Sequence, residues 1–124
     1  MMIVSYLPLI LLSVTLNAVA QLLLRKAMLE IGSFSFVADQ ILAILPRVIV
    51  NPYIIGGMIS YALSIGLWLT VLSRLEVSAA YPFLSVGYII VAIAGYLFFA
   101  ENLSLFRILG IACICLGVIL ISRG

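Results

Sequence analysis

The sequence has no histidine and only four acidic residues, Glu30, Asp39, Glu76 and Glu101, all at the edges of long apolar runs. Without histidine there is no Ser-His-Asp set, and Cys113 and Cys115 have no partners for a metal cluster. Two residues apart on a helix, the cysteines point in different directions and read as small apolar filler. No phosphate-binding loop is present. We therefore expect no enzymatic activity, no cofactor and no metal. Charge is equally scarce: 8% of residues are charged, against about 25% in a soluble domain. The net charge of +2 is too small to point to nucleic acid. With 67% hydrophobic residues, so short a chain cannot cover its surface with polar groups. Its apolar side chains must face lipid.

The charges divide the chain into long uncharged gaps: Met1–Leu24, Val48–Ser73, Val77–Ala100 and Ile108–Ser122. A membrane span needs roughly 20 residues. The fourth gap reaches that length if it begins near Leu103 and Arg107 extends its side chain to the headgroups. The runs do not alternate polar with apolar, which excludes barrel strands. The first run has no basic region before it and is too long for a cleaved signal peptide. We expect one all-α membrane domain over residues 1–124, with four spans at about 3–24, 52–72, 78–100 and 103–121. Pro8 lies in the second turn of the first span and Pro82 early in the third. Asn51 and Pro52 form a start signal for the second span, and Ser78 is placed to cap the third. Between the first two spans, residues 36–45 read as a short amphipathic helix at the membrane interface, ending at Pro46. Phe36, Val37, Ile41, Ile44 and Leu45 would be its apolar face. Arg25, Lys26, Arg47 and Arg107 fall on the side opposite the chain ends, Arg74 and Arg123 on the same side as the ends. That four-to-two bias favours ends outside the cytoplasm but leaves orientation, including dual topology, open.

Polar residues inside the spans are few and patterned. Ser13, Asn17 and Gln21 recur every fourth residue in the first span, and Arg25 continues the line. An amide in hydrocarbon needs a partner. The line therefore either bonds to another helix or lines a chamber. The second span supplies Ser60, Tyr61, Ser64 and Trp68, the third Tyr81, Ser85 and Tyr88. Serine can bond back to its own helix, and aromatic residues near span ends anchor at the interface. Tyr88 lies deeper and reads either as a chamber wall or as packing. Gly110 and Gly117 share a face of the fourth span, where small residues let helices approach closely. Four helices enclose little space alone, so a second copy is expected to complete a chamber.

QLLLRKA (Gln21–Ala27), VLSRLEVSAAYPFLSVGYI (Val71–Ile89) and FFAENLSLFRILGIACICLGVILIS (Phe98–Ser122) resemble the small multidrug resistance family, the short branch of the drug/metabolite transporter superfamily. The likeness covers nearly the whole chain except the connector at 32–46. It implies antiparallel dimers with a shared chamber lined by the first three spans. It also implies that Gly110 and Gly117 form the dimer contact. Drug-exporting members carry a glutamate in the first span. Aligned on Arg25, that position falls on Asn17, or on Ala18 after a one-residue slip. Neither can hold a proton, which counts against proton-coupled export of small cations, the alternative function. A sister branch fits better: it is similar to the paired subunits that flip undecaprenyl phosphate–aminoarabinose across the bacterial inner membrane during lipid A modification. This likeness implies a homodimer or a heterodimer with a sister subunit. Arg25, Lys26 or Arg107 would hold the lipid phosphate. Ser13, Asn17, Gln21, Ser64, Trp68, Tyr81, Ser85 and Tyr88 would line the substrate site.

Overall fold

The computed structural model describes residues 2–123, with side chains from Ser5 to Arg123. Among these residues every regular element is helical. The first span is α1 (Met2–Ile31). After it come α2 (Ala38–Val50), α3 (Pro52–Leu72), a short α4 (Val77–Ala80), a 3-10 turn at Tyr81–Phe83, α5 (Leu84–Phe98) and α6 (Leu105–Arg123). Four segments are long and apolar enough to cross a membrane: Ser5–Ile31, Pro52–Leu72, Val77–Phe98 and Leu105–Arg123. The fold is the four-span, all-α architecture that the resemblance implies.

α1 is the central helix and packs against both α3 and α5. Two glycines allow this. A Cβ at Gly57 of α3 would lie 3.2 Å from the backbone oxygen of Ala20 and from Leu24. A Cβ at Gly87 of α5 would lie 3.0 Å from Val14 Cγ1. Such close approach is how helices gain van der Waals contact in lipid, where apolar burial from water offers no driving force. Ile10 and Val14 of α1 join Val71, Leu75, Ala80 and Phe83 in a buried cluster that seals one end of the bundle. α6 has no buried residue, although Val118 touches the sealed end.

Several boundaries differ from the sequence expectation. α1 does not stop near Leu24 but continues to Ile31. Its extra turns are held from outside the span: Ala27 is fully buried, Arg25 pairs with Glu101, and Lys26 sits 4.7 Å above the Tyr53 ring. Gly32, at φ +97°, then ends the helix, its N–H returning to the Met28 carbonyl at 2.8 Å; the left-handed turn suits glycine. α2 covers Ala38–Val50 rather than 36–45 and passes through Pro46. Proline removes one backbone bond, but the half-buried face Ile41, Ile44, Val48 continues across it, and α2 packs on α1 and α3. Phe36 and Val37 precede the helix.

The start of α3 follows its signal: Asn51 Oδ1 accepts from the N–H groups of Tyr53 at 2.9 Å and Ile54 at 3.3 Å, with Pro52 at the first position. The third span is not one helix. Pro82 sits in a 3-10 turn between α4 and α5, because it lacks the N–H that an uninterrupted α-helix requires. Ser78 lies inside α4, whose cap position is Glu76. The span ends at Phe98, not Ala100. Ala100 takes φ +54°, a conformation that costs a non-glycine residue about 1 kcal/mol. α6 begins at Leu105 rather than Leu103, with the Ser104 hydroxyl accepting from the Arg107 N–H at 3.3 Å.

Candidate functional site

The polar line of α1 divides between two environments. Ser13 is buried, and its hydroxyl donates to the Ser64 carbonyl of α3 at 2.9 Å. Ser64 is also buried and donates to the Tyr61 carbonyl one turn back, at 2.8 Å. These two serines therefore belong to the α1–α3 seam. Interhelical bonds of this kind contribute about 0.6 kcal/mol in membrane proteins. Ser13→Ala is expected to lower unfolding stability by about that amount while transport per folded molecule is unchanged. Denaturation in detergent, alongside a transport assay, checks both.

Asn17 and Gln21 face elsewhere. With Val14 and Ala18 they form one wall of a groove of about 450 Å³. Tyr61 of α3 contributes from a second side. Tyr81, Leu84, Gly87, Tyr88 and Val91 supply the third. Asn17 is half-buried and Gln21 exposed. Tyr81 and Tyr88 are 60% and 49% exposed, so in a single chain the groove is open along one flank. Its polar groups are two amides and three phenols, each able to donate and to accept hydrogen bonds. No charged side chain is among the lining residues. The groove thus suits a ligand with many hydroxyls.

Beyond Gln21 the groove meets charge. Arg25 Nε donates to Glu101 Oε2 at 3.2 Å. Glu101 and Arg107 share a small adjoining cavity with Asn102, and Tyr88 and Val91 line both spaces. Arg107 Nη1 donates to the Asn102 carbonyl at 2.9 Å. The Glu101 position depends on Gly95, where a Cβ would stand 2.6 Å from Glu101 Oε1. The Glu101 N–H also donates back to the Gly95 carbonyl at 3.1 Å.

Lys26 is separate from this group. It lies about 100° round the helix from Arg25, over Tyr53. There it lines a different groove of about 510 Å³ with Glu30, leucines of α1 and Phe98 and Phe99. Trp68 is half-buried against the sealed end. Ser85 is half-buried and, like Trp68, is absent from the groove lining. At Gly110 and Gly117 an added Cβ would meet nothing within 4 Å. One residue of the groove and one of the adjoining cavity are not among the expected binding set. Tyr61 carries only the weak signal of a tyrosine deep in an apolar run. Glu101 reads from sequence as a turn residue.

Comparison with known proteins fits this architecture. The model of the EamA-like transporter family matches residues 4–123. A Sodalis glossinidius protein named "Probable 4-amino-4-deoxy-L-arabinose-phosphoundecaprenol flippase subunit ArnF" is 35% identical over 116 residues, covering 88% of this chain and 84% of its own. The ArnF subunit of the same description from Serratia proteamaculans is 39% identical over 117 residues, 89% of this chain and 86% of its own. A Hamiltonella defensa protein named as the corresponding ArnE subunit is 39% identical over 72 residues, 58% of this chain and 59% of its own. No solved structure matches. With the family match spanning nearly all of the chain and four helices able to cross a bilayer, this is a multi-pass transporter of the bacterial inner membrane, homologous to the ArnE and ArnF subunits, and it belongs to the EamA-like transporter family.

Proposed function

We infer that the chain moves the headgroup of a phosphate-bearing, lipid-linked sugar across the inner membrane, within the small multidrug resistance-like branch of its family. The observation that carries this reading is the groove itself. Asn17, Gln21, Tyr61, Tyr81 and Tyr88 offer uncharged hydrogen-bonding groups, and Arg25, one turn past Gln21, pairs with Glu101 of the adjoining cavity. A sugar is held by donors and acceptors of this kind, and a phosphate by a guanidinium. The names of the ArnE and ArnF relatives describe a cargo with both parts. Flipping such a lipid requires no covalent chemistry, and its polyprenyl tail remains in the bilayer beside the groove's open flank. Ser13 and Ser64 hold α1 to α3, and Lys26 stands apart from the phosphate.

A second four-helix subunit, identical or a sister chain, closes the open flank in this reading. The names of these relatives call them subunits. α6 carries no buried residue and leaves Gly110 and Gly117 uncovered, so it is the surface we assign to that partner. α2, with exposed Leu42, Leu45 and Ile49 opposite its half-buried face, lies along the membrane interface.

Binding tests the groove. A short-chain prenyl phosphate–aminoarabinose is titrated into the full-length protein in nanodiscs. Asn17→Leu and Tyr88→Phe should each weaken binding about 5- to 20-fold, the lower part of the range for a lost hydrogen bond that leaves a polar group unpaired. Unchanged affinity in both variants would count against the groove as the binding site.

One observation favours the alternative, proton-coupled export of small cations: Glu101 places a carboxylate at the groove's end. That reading predicts proton release when a small cation such as guanidinium binds. The flippase reading predicts none.

A further inference from the structure

Glu101 is set where an acid gains little by itself. It follows the C-terminal end of α5, where the helix macrodipole is negative and a carboxylate is unfavourable. Two local features hold it there: the left-handed Ala100 and the bare backbone of Gly95, which a Cβ would block. Its partner Arg25 is half open to the surroundings, with side-chain exposures of 52% for Arg25 and 38% for Glu101. An exposed ion pair contributes little to stability, so a ligand can replace either partner at small cost. The pair is also next to the sugar-suited groove, since Tyr88 and Val91 line both the groove and the cavity that holds Glu101. Arg107, on the rim of that cavity, leaves an excess of positive charge once the pair opens.

Resting on the flippase reading, we propose that the Arg25–Glu101 pair is a zwitterion receptor: the incoming headgroup separates it, Arg25 taking the phosphate and Glu101 taking the ammonium of an amino sugar. The pair is then an internal substitute for the ligand's two charges. Glu101 becomes the residue that selects an amine-bearing sugar over a neutral one. A neutral sugar brings no cation to the displaced carboxylate, and so binds against the Arg25–Glu101 attraction instead of replacing it on both sides.

The test uses the full-length chain in nanodiscs and two probes, the short-chain prenyl phosphate–aminoarabinose and the same compound with its amine acetylated. The wild type should bind the free-amine probe at least about tenfold more tightly, the scale of a charge-assisted hydrogen bond. Glu101→Gln should move the two affinities in opposite directions. The free-amine probe weakens about tenfold. The acetylated probe tightens about two- to threefold, because Arg25 is freed from a weak exposed pair. A merely structural pair would weaken both probes together, and that result overturns the proposal. The exchange Arg25→Glu with Glu101→Arg restores the pair and guards against misfolding of the single variant. It should give a monodisperse protein that has lost the amine preference; retention of the preference also overturns the proposal. Equal binding of both probes by the wild type removes the role of Glu101 and leaves the flippase reading standing. Binding of neither probe removes both.

Discussion

Arg25→Gln is expected to lower translocation of a phosphate-bearing lipid about 10- to 100-fold, the cost of losing a charge-assisted contact to phosphate. Arg25 is one turn beyond Gln21, which lines the groove, and it pairs with Glu101 of the adjoining cavity. Its planar fork can hold two phosphate oxygens at once, which an ammonium cannot. Arg25→Lys should therefore recover only part of the rate. The neighbouring cation is the informative comparison. Lys26 stands over Tyr53 and lines the apolar groove on another face of α1. Lys26→Gln should stay within about twofold of wild type, as a surface charge that touches no substrate. Initial translocation rates at equal reconstituted protein distinguish the two. Similar losses in both variants would mean that the phosphate is drawn by general positive charge at the membrane edge and not by the groove.

Gly57→Leu is expected to destabilise the fold by about 1–3 kcal/mol, the usual cost of overpacking. The obstacle is backbone and side chain together. A Cβ at Gly57 already meets the Ala20 carbonyl and Leu24 at 3.2 Å, and the remaining leucine carbons have no space between α1 and α3. The helices must move apart, which also strains the Ser13–Ser64 bond. Gly66→Leu and Gly110→Leu provide the contrast, since a Cβ at either position meets nothing within 4 Å. Their effect on unfolding should be within about 0.5 kcal/mol. Gly110→Leu should instead reduce association with the partner subunit. Thermal unfolding in detergent reads the first effect, and cross-linking in membranes the second.

Much of the architecture is written openly in the chain. Uncharged gaps mark the four spans, Asn51 and Pro52 mark the start of α3, and neither Asn17 nor Ala18, where the resemblance places the exporters' glutamate, is acidic. The polar line of α1 shows where periodicity ceases to be enough. Residues spaced by four drift about 40° per step around a helix of 3.6 residues per turn. Ser13 and Arg25, three steps apart, are thus about 120° apart in direction. Ser13 turns into α3, Asn17 and Gln21 face the groove, and Arg25 reaches Glu101. The Arg25–Glu101 pairing joins residues 76 positions apart, and nothing local signals it. The length of α1 was hidden for a related reason. Its last turns carry charges that end a hydrophobic run, yet those charges find partners on other elements. Pro46 and Pro82 look alike as helix breakers. One is carried through by packing on α1 and α3, whereas the other yields a 3-10 turn.

Headgroup translocation in vesicles tests the central claim most directly. The protein is reconstituted alone and together with a paired small subunit. Movement of labelled undecaprenyl phosphate–aminoarabinose from one leaflet to the other is followed by its accessibility to an impermeant amine reagent. Translocation is expected in at least one of the two settings, lowered about 10- to 100-fold in Arg25→Gln and unaffected by collapse of the proton gradient within the vesicle. Absence of movement in both settings, or transport of a small cation with proton release in its place, would contradict it.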